Sequence, residues 1–160
     1  MSDQPKSYLC IDPGVNMGVA RFNGDGRLDV LETYDPLSLL DELRYESFMY
    51  AKLWIVLFED SRIVSNVFSA KKIVKPAIRE KIAQNVGEIN QLCRLIKARC
   101  EHYAIPCYGI SAAQKGKKLD AIEFKAAVPS WTGKSNQHER DAAMLWFARP
   151  IHLRGKNAID

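Results

Sequence analysis

The run Lys52-Leu53-Trp54-Ile55-Val56-Leu57-Phe58 is too continuously apolar for a strand with one wet face. It predicts a central strand covered on both sides, as parallel pairing requires. A carboxylate, Glu59, follows it at once. A second apolar run, Tyr8 to Ile11, ends the same way in Asp12, and Pro13-Gly14 then turns the chain. An unpaired buried carboxylate is costly. In α/β sheets the carboxyl ends of strands are where ligands bind. Two acids placed there therefore point to a ligand rather than to packing.

The rest of the chain supports a layered α/β reading. Met17 to Phe22 reads as a strand, Asn23-Gly24-Asp25-Gly26 as a hairpin turn and Leu28 to Thr33 as a third, alternating strand. These complete an antiparallel meander with Tyr8 to Ile11. Asp35-Pro36 opens a helix that runs to about Met49, with Asp35 as N-cap. The stretch from Arg62 to Lys75 reads as a short helix or a loop. Pro76 to Tyr103 reads as one long helix, with an interruption at Gly87 open. Its residues Val86, Ile89, Cys93, Ile96, Cys100 and Tyr103 form a helical stripe that packs on the sheet or, in part, on a second copy of the chain. Ile105 to Ile110 is a fifth strand, Leu119 to Val128 a helix, and Gln137 to Arg149 the last helix. Asn136 and Glu139 make a capping box for that last helix. The expectation is one mixed sheet in a single domain over 1–160, with 1–7 and 151–160 as flexible tails.

Charge is uneven. Arg21 to Tyr50 holds seven acids and three bases, whereas Arg62 to Lys118 holds twelve Lys/Arg and three Asp/Glu. That asymmetry fits a basic face for a polyanion, or a solvated helix surface. No apolar run reaches the length of a membrane span, and Met1 to Lys6 has no signal-peptide core, so a cytoplasmic protein is expected. Cys10, Cys93, Cys100 and Cys107 lack C-x-x-C spacing and read as buried free thiols.

A third acid, Asp141, lies near the start of the last helix, with His138 three residues before it on the same face. If Asp12, Glu59 and Asp141 converge, they form a site for a hard divalent cation. Two such ions about 4 Å apart can clamp a phosphodiester, with Asp12 as the natural bridge. His138 reads as a ligand, as a hydrogen-bond partner of a site acid, or as an exposed first-turn residue. Asp60 points away from Glu59, Glu139 is a cap, and Arg140 contacts phosphate or balances Glu139. Trp131 reads as core or as a lid over the last helix.

Ile11-Asp12-Pro13-Gly14, the strand ending in Glu59, and Gln137-His138-Glu139-Arg140-Asp141-Ala142-Ala143 together resemble RuvC-type Holliday-junction resolvases of the RNase H-like superfamily. They look most like the compact forms coded by bacteriophages and prophages. The element order matches over Tyr8 to Ala148. The resemblance implies an RNase H-like α/β fold with a five-stranded sheet, a three-stranded antiparallel meander plus two parallel strands, flanked by helices. It implies Mg²⁺- or Mn²⁺-dependent hydrolysis of branched DNA by two ions per site, in a homodimer paired through the Pro76–Tyr103 helix. Asp12, Glu59, His138 and Asp141 take the catalytic and metal-ligand positions. Many family members carry an acid where His138 stands. It also implies a lysine by the scissile phosphate, Lys115 or Lys118.

Further DNA contacts are expected from Lys71, Lys72, Lys75, Arg79, Lys81 and Lys117. Phe68 is placed either against bases or on the core. The competing readings are an RNase H-like nuclease for flaps, RNA–DNA hybrids or duplex, and a non-catalytic DNA-binding domain of the same fold. A sugar-kinase-like phosphotransferase shares the first strand but calls for a longer chain.

Overall fold

A computed structural model describes residues 7–50, 54–63 and 75–154, with only the backbone described for 46–50. Five strands form one sheet in the order β3-β2-β1-β4-β5. They are β1 (Ser7–Asp12), β2 (Met17–Asn23), β3 (Leu28–Tyr34), β4 (Trp54–Glu59) and β5 (Cys107–Ile110). β1 pairs antiparallel with β2 and parallel with β4, and β4 pairs parallel with β5. The expected meander with two parallel strands is therefore present. The β2–β3 turn closes through Asn23, whose side chain accepts from the backbone N–H groups of Asp25 and Arg27. Gly26 supplies the positive φ of 81° that the turn needs.

The helices are α1 (Pro36–Tyr50), α2 (Pro76–His102), α3 (Ala112–Lys115), α4 (Ala121–Ala127) and α5 (Gln137–Phe147). Asp35 caps α1 by accepting from Leu37 and Ser38, as its position before Pro36 predicts. Asn136 and Glu139 form the expected capping box on α5. α3 was not foreseen. Its cap is a second such box, built from Ser111 and Gln114, and Gly116 ends it after one turn at φ 86°.

Strand alternation divides the core into two layers. Tyr8, Cys10, Ile55 and Leu57 pack under Phe124, Ala142, Leu145 and Trp146. Leu9, Ile11, Val56 and Phe58 pack under Leu39, Leu43, Cys93, Ile96 and Cys100 on the α1/α2 side. β4 is thus buried on both faces, as its unbroken apolar sequence demands. The four thiols are free, and Cys10, Cys93 and Cys100 are buried.

α2 runs unbroken through Gly87. Its stripe reaches the sheet only from Ile89 onward. Ile78, Ile82 and Val86 continue the same face but remain 50, 52 and 48% exposed. The segment 64–74, with Phe68, Lys71 and Lys72, lies outside the described residues. Residues 151–154, expected as part of a tail, instead form a 3-10 turn at Ile151–Leu153. The Leu153 carbonyl of that turn accepts from the Tyr8 hydroxyl.

One glycine fixes the distance between sheet and helix. A Cβ on Gly18 would fall on the backbone carbonyl of His138, the second residue of α5. Two backbones that meet cannot yield as a flexible side chain can. Gly18→Ala is expected to destabilise the protein by about 2–3 kcal/mol, lowering Tm by roughly 5–10 °C. Gly87→Ala, where a Cβ meets open space, should leave Tm unchanged or slightly higher. Thermal unfolding of the two variants followed by circular dichroism checks this.

Candidate active site

Parity and register bring the first two acids together. Asp12 continues the Tyr8/Cys10 face of β1, and Glu59 continues the Ile55/Leu57 face of β4. Ile11 pairs with Phe58 across the parallel ladder, so Asp12 and Glu59 follow side by side on neighbouring strands. Both therefore face α5. Gly18, the antiparallel partner of Asp12, lets the first turn of α5 descend onto the sheet at that point. The descent delivers His138 and the buried Asp141 to the two strand acids.

Three more contacts hold α5 in place. Thr33 donates to Glu139 and accepts from Asn136, tying the helix start to β3. Arg140 donates to the carbonyls of Leu119 and Ser135, so its guanidinium staples two loops rather than facing the acids. Gln137 donates to one oxygen of Asp141 and orients its carboxylate.

The centre of the cluster is the side chain of Lys115. Its ammonium forms a short ion pair with Glu59 and lies 3.9 Å from Asp12 and 4.0 Å from Asp141. Lys118 reaches Asp141 from the solvent side at 3.4 Å. His138 Nδ1 stands 3.3 Å from Asp12 and is half exposed, so here it is a hydrogen-bond partner of a site acid. Of the expected lysines, Lys115 is the central one and Lys118 the outer one. Lys117 turns away to Glu123. Lys75, Arg79 and Lys81 lie exposed at the start of α2. Asp60 is held by a two-pronged ion pair with Arg62, apart from Glu59. Trp131 packs against the core on the α5 side and donates to the Lys134 carbonyl.

Asp12, Glu59, Lys115, Lys118, His138 and Asp141 line a cavity of about 480 Å³, whose far wall is α2 through Asn85, Glu88, Ile89 and Leu92. That wall went unread in the sequence, because nothing local to α2 says which turn passes the carboxyl edge of the sheet.

Among the described residues, no three His, Cys, Asp or Glu side chains stand close enough to hold one ion as placed. The Lys115 ammonium stands between the three carboxylates. The donor chemistry nevertheless fits a hard divalent cation. Three carboxylates from three elements each present an oxygen within 4.0 Å of the Lys115 nitrogen. Burial pushes the Asp12 carboxyl up to about 6, Lys115 opposes the rise, and Glu59 and Asp141 add to it. The site thus concentrates more negative charge than one lysine balances.

No protein-family model matches the chain, and no curated protein does. Among solved structures, it is similar to T. thermophilus RuvC in complex with a Holliday junction substrate. The TM-score is 0.53 at 13% sequence identity, over 89% of this chain and 90% of that one. The fold is RNase H-like. The likeness covers nearly the whole of both chains, and the five-stranded sheet with its flanking helices is what they share.

The Asp12 shift has a definite sign. The folded state holds the proton more tightly than the unfolded chain, so Asp12's contribution to stability falls as pH rises from about 4 to about 6 and is level above that. A carboxyl-carbon NMR titration without added metal is expected to show an Asp12 midpoint near 6. Lys115→Met should move it upward, because the largest opposing influence is gone. An unmoved midpoint in the variant would show that Lys115 does not act on Asp12.

Proposed function

We propose that this protein is a divalent-cation-dependent endonuclease that cuts branched DNA, with the four-way junction as its substrate. The observation that carries this reading is the convergence of Asp12, Glu59 and Asp141 on one point at the carboxyl edge of an RNase H-like sheet. The junction comes from the likeness to a RuvC described with that substrate. A pure DNA binder gains nothing from buried acids beside a phosphate, which counts against the non-catalytic reading.

In this reading Asp12, Glu59 and Asp141 hold Mg²⁺ or Mn²⁺, with His138 positioned beside Asp12. The ions would activate water for attack on the phosphodiester and stabilise the leaving oxygen. The chain's own groups do the rest. Asp12 must give up its proton, so proton and cation compete for it and cation binding weakens as pH falls. Lys115 holds the acids together and, by swinging off Glu59, can meet a non-bridging phosphate oxygen. Lys118 is exposed at the mouth and can meet a neighbouring phosphate. Lys75, Arg79 and Lys81, on the overhanging start of α2, can extend the contact along a DNA arm, as Phe68, Lys71 and Lys72 can from the segment before it.

The same helix supports a homodimer. Ile78, Ile82 and Val86 form an apolar stripe on a helix half that packs on nothing else among the described residues. A second copy would cover it and set two sites against two strands. Cytoplasmic location and an origin in a phage or prophage belong to this reading as well. Among the described residues no helix is long and apolar enough to cross a membrane.

Two experiments test it. Incubation with a synthetic four-way junction, a flap, an RNA–DNA hybrid and a plain duplex, with and without Mn²⁺, should give symmetric paired nicks in the junction only and only with the ion. Asp12→Asn should abolish cleavage while junction binding persists, since the change removes an anionic donor without adding bulk. Full cleavage by that variant would refute the cation site. Separately, sedimentation velocity is expected to show a dimer that Ile82→Asp converts to monomer with little change in Tm. A wild-type monomer at every concentration would remove the dimer from the proposal.

A further inference from the structure

Beside the cavity of the three acids lies a second cleft of about 480 Å³, and among the described residues Lys115 lines both. It runs between α3, the carboxyl end of α5 and the 3-10 turn, and is lined by Gln114, Phe147, Arg149, Ile151 and Arg154. Two guanidinium groups face it, and among the described residues neither Arg149 nor Arg154 pairs with an acid.

Both arginines are fixed by the fold. Arg149 stacks on the Trp146 ring at 3.5 Å and donates to the carbonyls of Trp146 and Leu153. Arg154 donates through Nε to the Arg149 carbonyl, and its two terminal nitrogens have no bond within the described residues. Burial and the neighbouring Arg154 charge both lower the Arg149 pKa, against Tyr8. Two like charges are thus held close, one of them half buried, with no acid paired to either among the described residues. The rim is apolar, with Phe147 44% and Ile151 82% exposed.

We infer that this cleft is a second nucleic-acid subsite, in which Arg154 and Arg149 take a phosphate of the bound strand and Phe147 and Ile151 take the adjacent sugar and base. Prepositioned guanidinium groups match phosphate oxygens in a way that ammonium groups do not. The apolar rim suits the flat face of a nucleotide rather than a free ion. The inference rests on the nuclease reading, which puts one phosphate at Lys115. From Asp141 to Phe147 the helix rises roughly 9 Å, a distance that one to two phosphate steps of a strand cover. A strand cut at the acids would therefore reach the cleft one or two nucleotides from the cut.

The test is junction binding in EDTA, where no cutting occurs, measured across a series of salt concentrations. Arg154→Gln is expected to weaken binding at least fivefold and to flatten the log–log salt slope by about one, the loss of one phosphate contact. Ethylating the phosphates one and two steps from the cut should interfere with wild-type binding and not with the variant. Arg149→Met probes the second guanidinium, with Tm recorded because that side chain also packs on Trp146. Arg27→Gln, on the β2–β3 turn, controls for loss of any one positive charge. The subsite is refuted if wild type binds the junction but Arg154→Gln matches it in affinity and slope, or if Arg27→Gln shows the same loss. Failure of the wild type to bind any DNA would overturn the nuclease reading together with the subsite. A loss confined to inorganic phosphate binding, with junction affinity intact, would assign the cleft to a free anion and refute the strand contact.

Discussion

The ammonium of Lys115 among three carboxylates is the interaction on which the site depends. Asp12 and Glu59 cannot move apart, because each ends a strand whose register is fixed by the parallel ladder between β1 and β4. Asp141 is buried and cannot turn to solvent. Burial is the main cause of the upward shift of Asp12, and the neighbouring charges of Glu59 and Asp141 add to it. The Lys115 ammonium in the middle opposes the rise at Asp12. Packing alone would not favour this arrangement, since buried ion pairs seldom stabilise more than apolar residues of similar volume. The acids are better explained by chemistry than by stability.

The second constraint is a close approach of backbones. α5 delivers both His138 and Asp141, and it can do so only because β2 carries glycine where the helix lands. The capping box at Asn136 and Glu139 sets where the helix begins, and Thr33 ties that cap to β3. Arg140, which the sequence leaves open as a phosphate ligand, is committed to two backbone carbonyls instead. Moving the helix start by one residue would turn Asp141 about 100° around the axis and out of the cluster.

What the sequence reveals follows from how local the governing chemistry is. The strands, the Asn23–Gly26 turn and the caps at Asp35 and Asn136 depend on neighbouring residues, and all are present as read. Asp12 and Glu59 were legible because an acid at the end of a buried strand is anomalous on its face, and Asp141 because it sits near the start of a helix in the Gln137–Ala143 string. Lys115 could not be separated from Lys117 and Lys118 by spacing. What separates them is α3, whose single turn ends at Gly116 and sends Lys115 inward while Lys117 meets Glu123. The signal for α3 was present as Ser111-x-x-Gln114, but its four residues carry no hydrophobic period. Gly18 was illegible for a deeper reason: a glycine in a strand does not say what approaches it.

α2 joins the site to assembly. Asn85, Ile89 and Leu92 wall the cavity that holds the three acids, and Ile78, Ile82 and Val86 carry the same helix face beyond the sheet edge. Among the described residues that stretch of helix stays about half exposed, so little there fixes its position. Whatever covers the stripe therefore also sets how far the cavity wall stands from Asp12 and Glu59. In the proposed dimer, pairing through this stripe would do more than space two sites along DNA. It would complete the wall of each one, so that cleavage and pairing would be lost together, even though no acid of either site crosses to the other subunit.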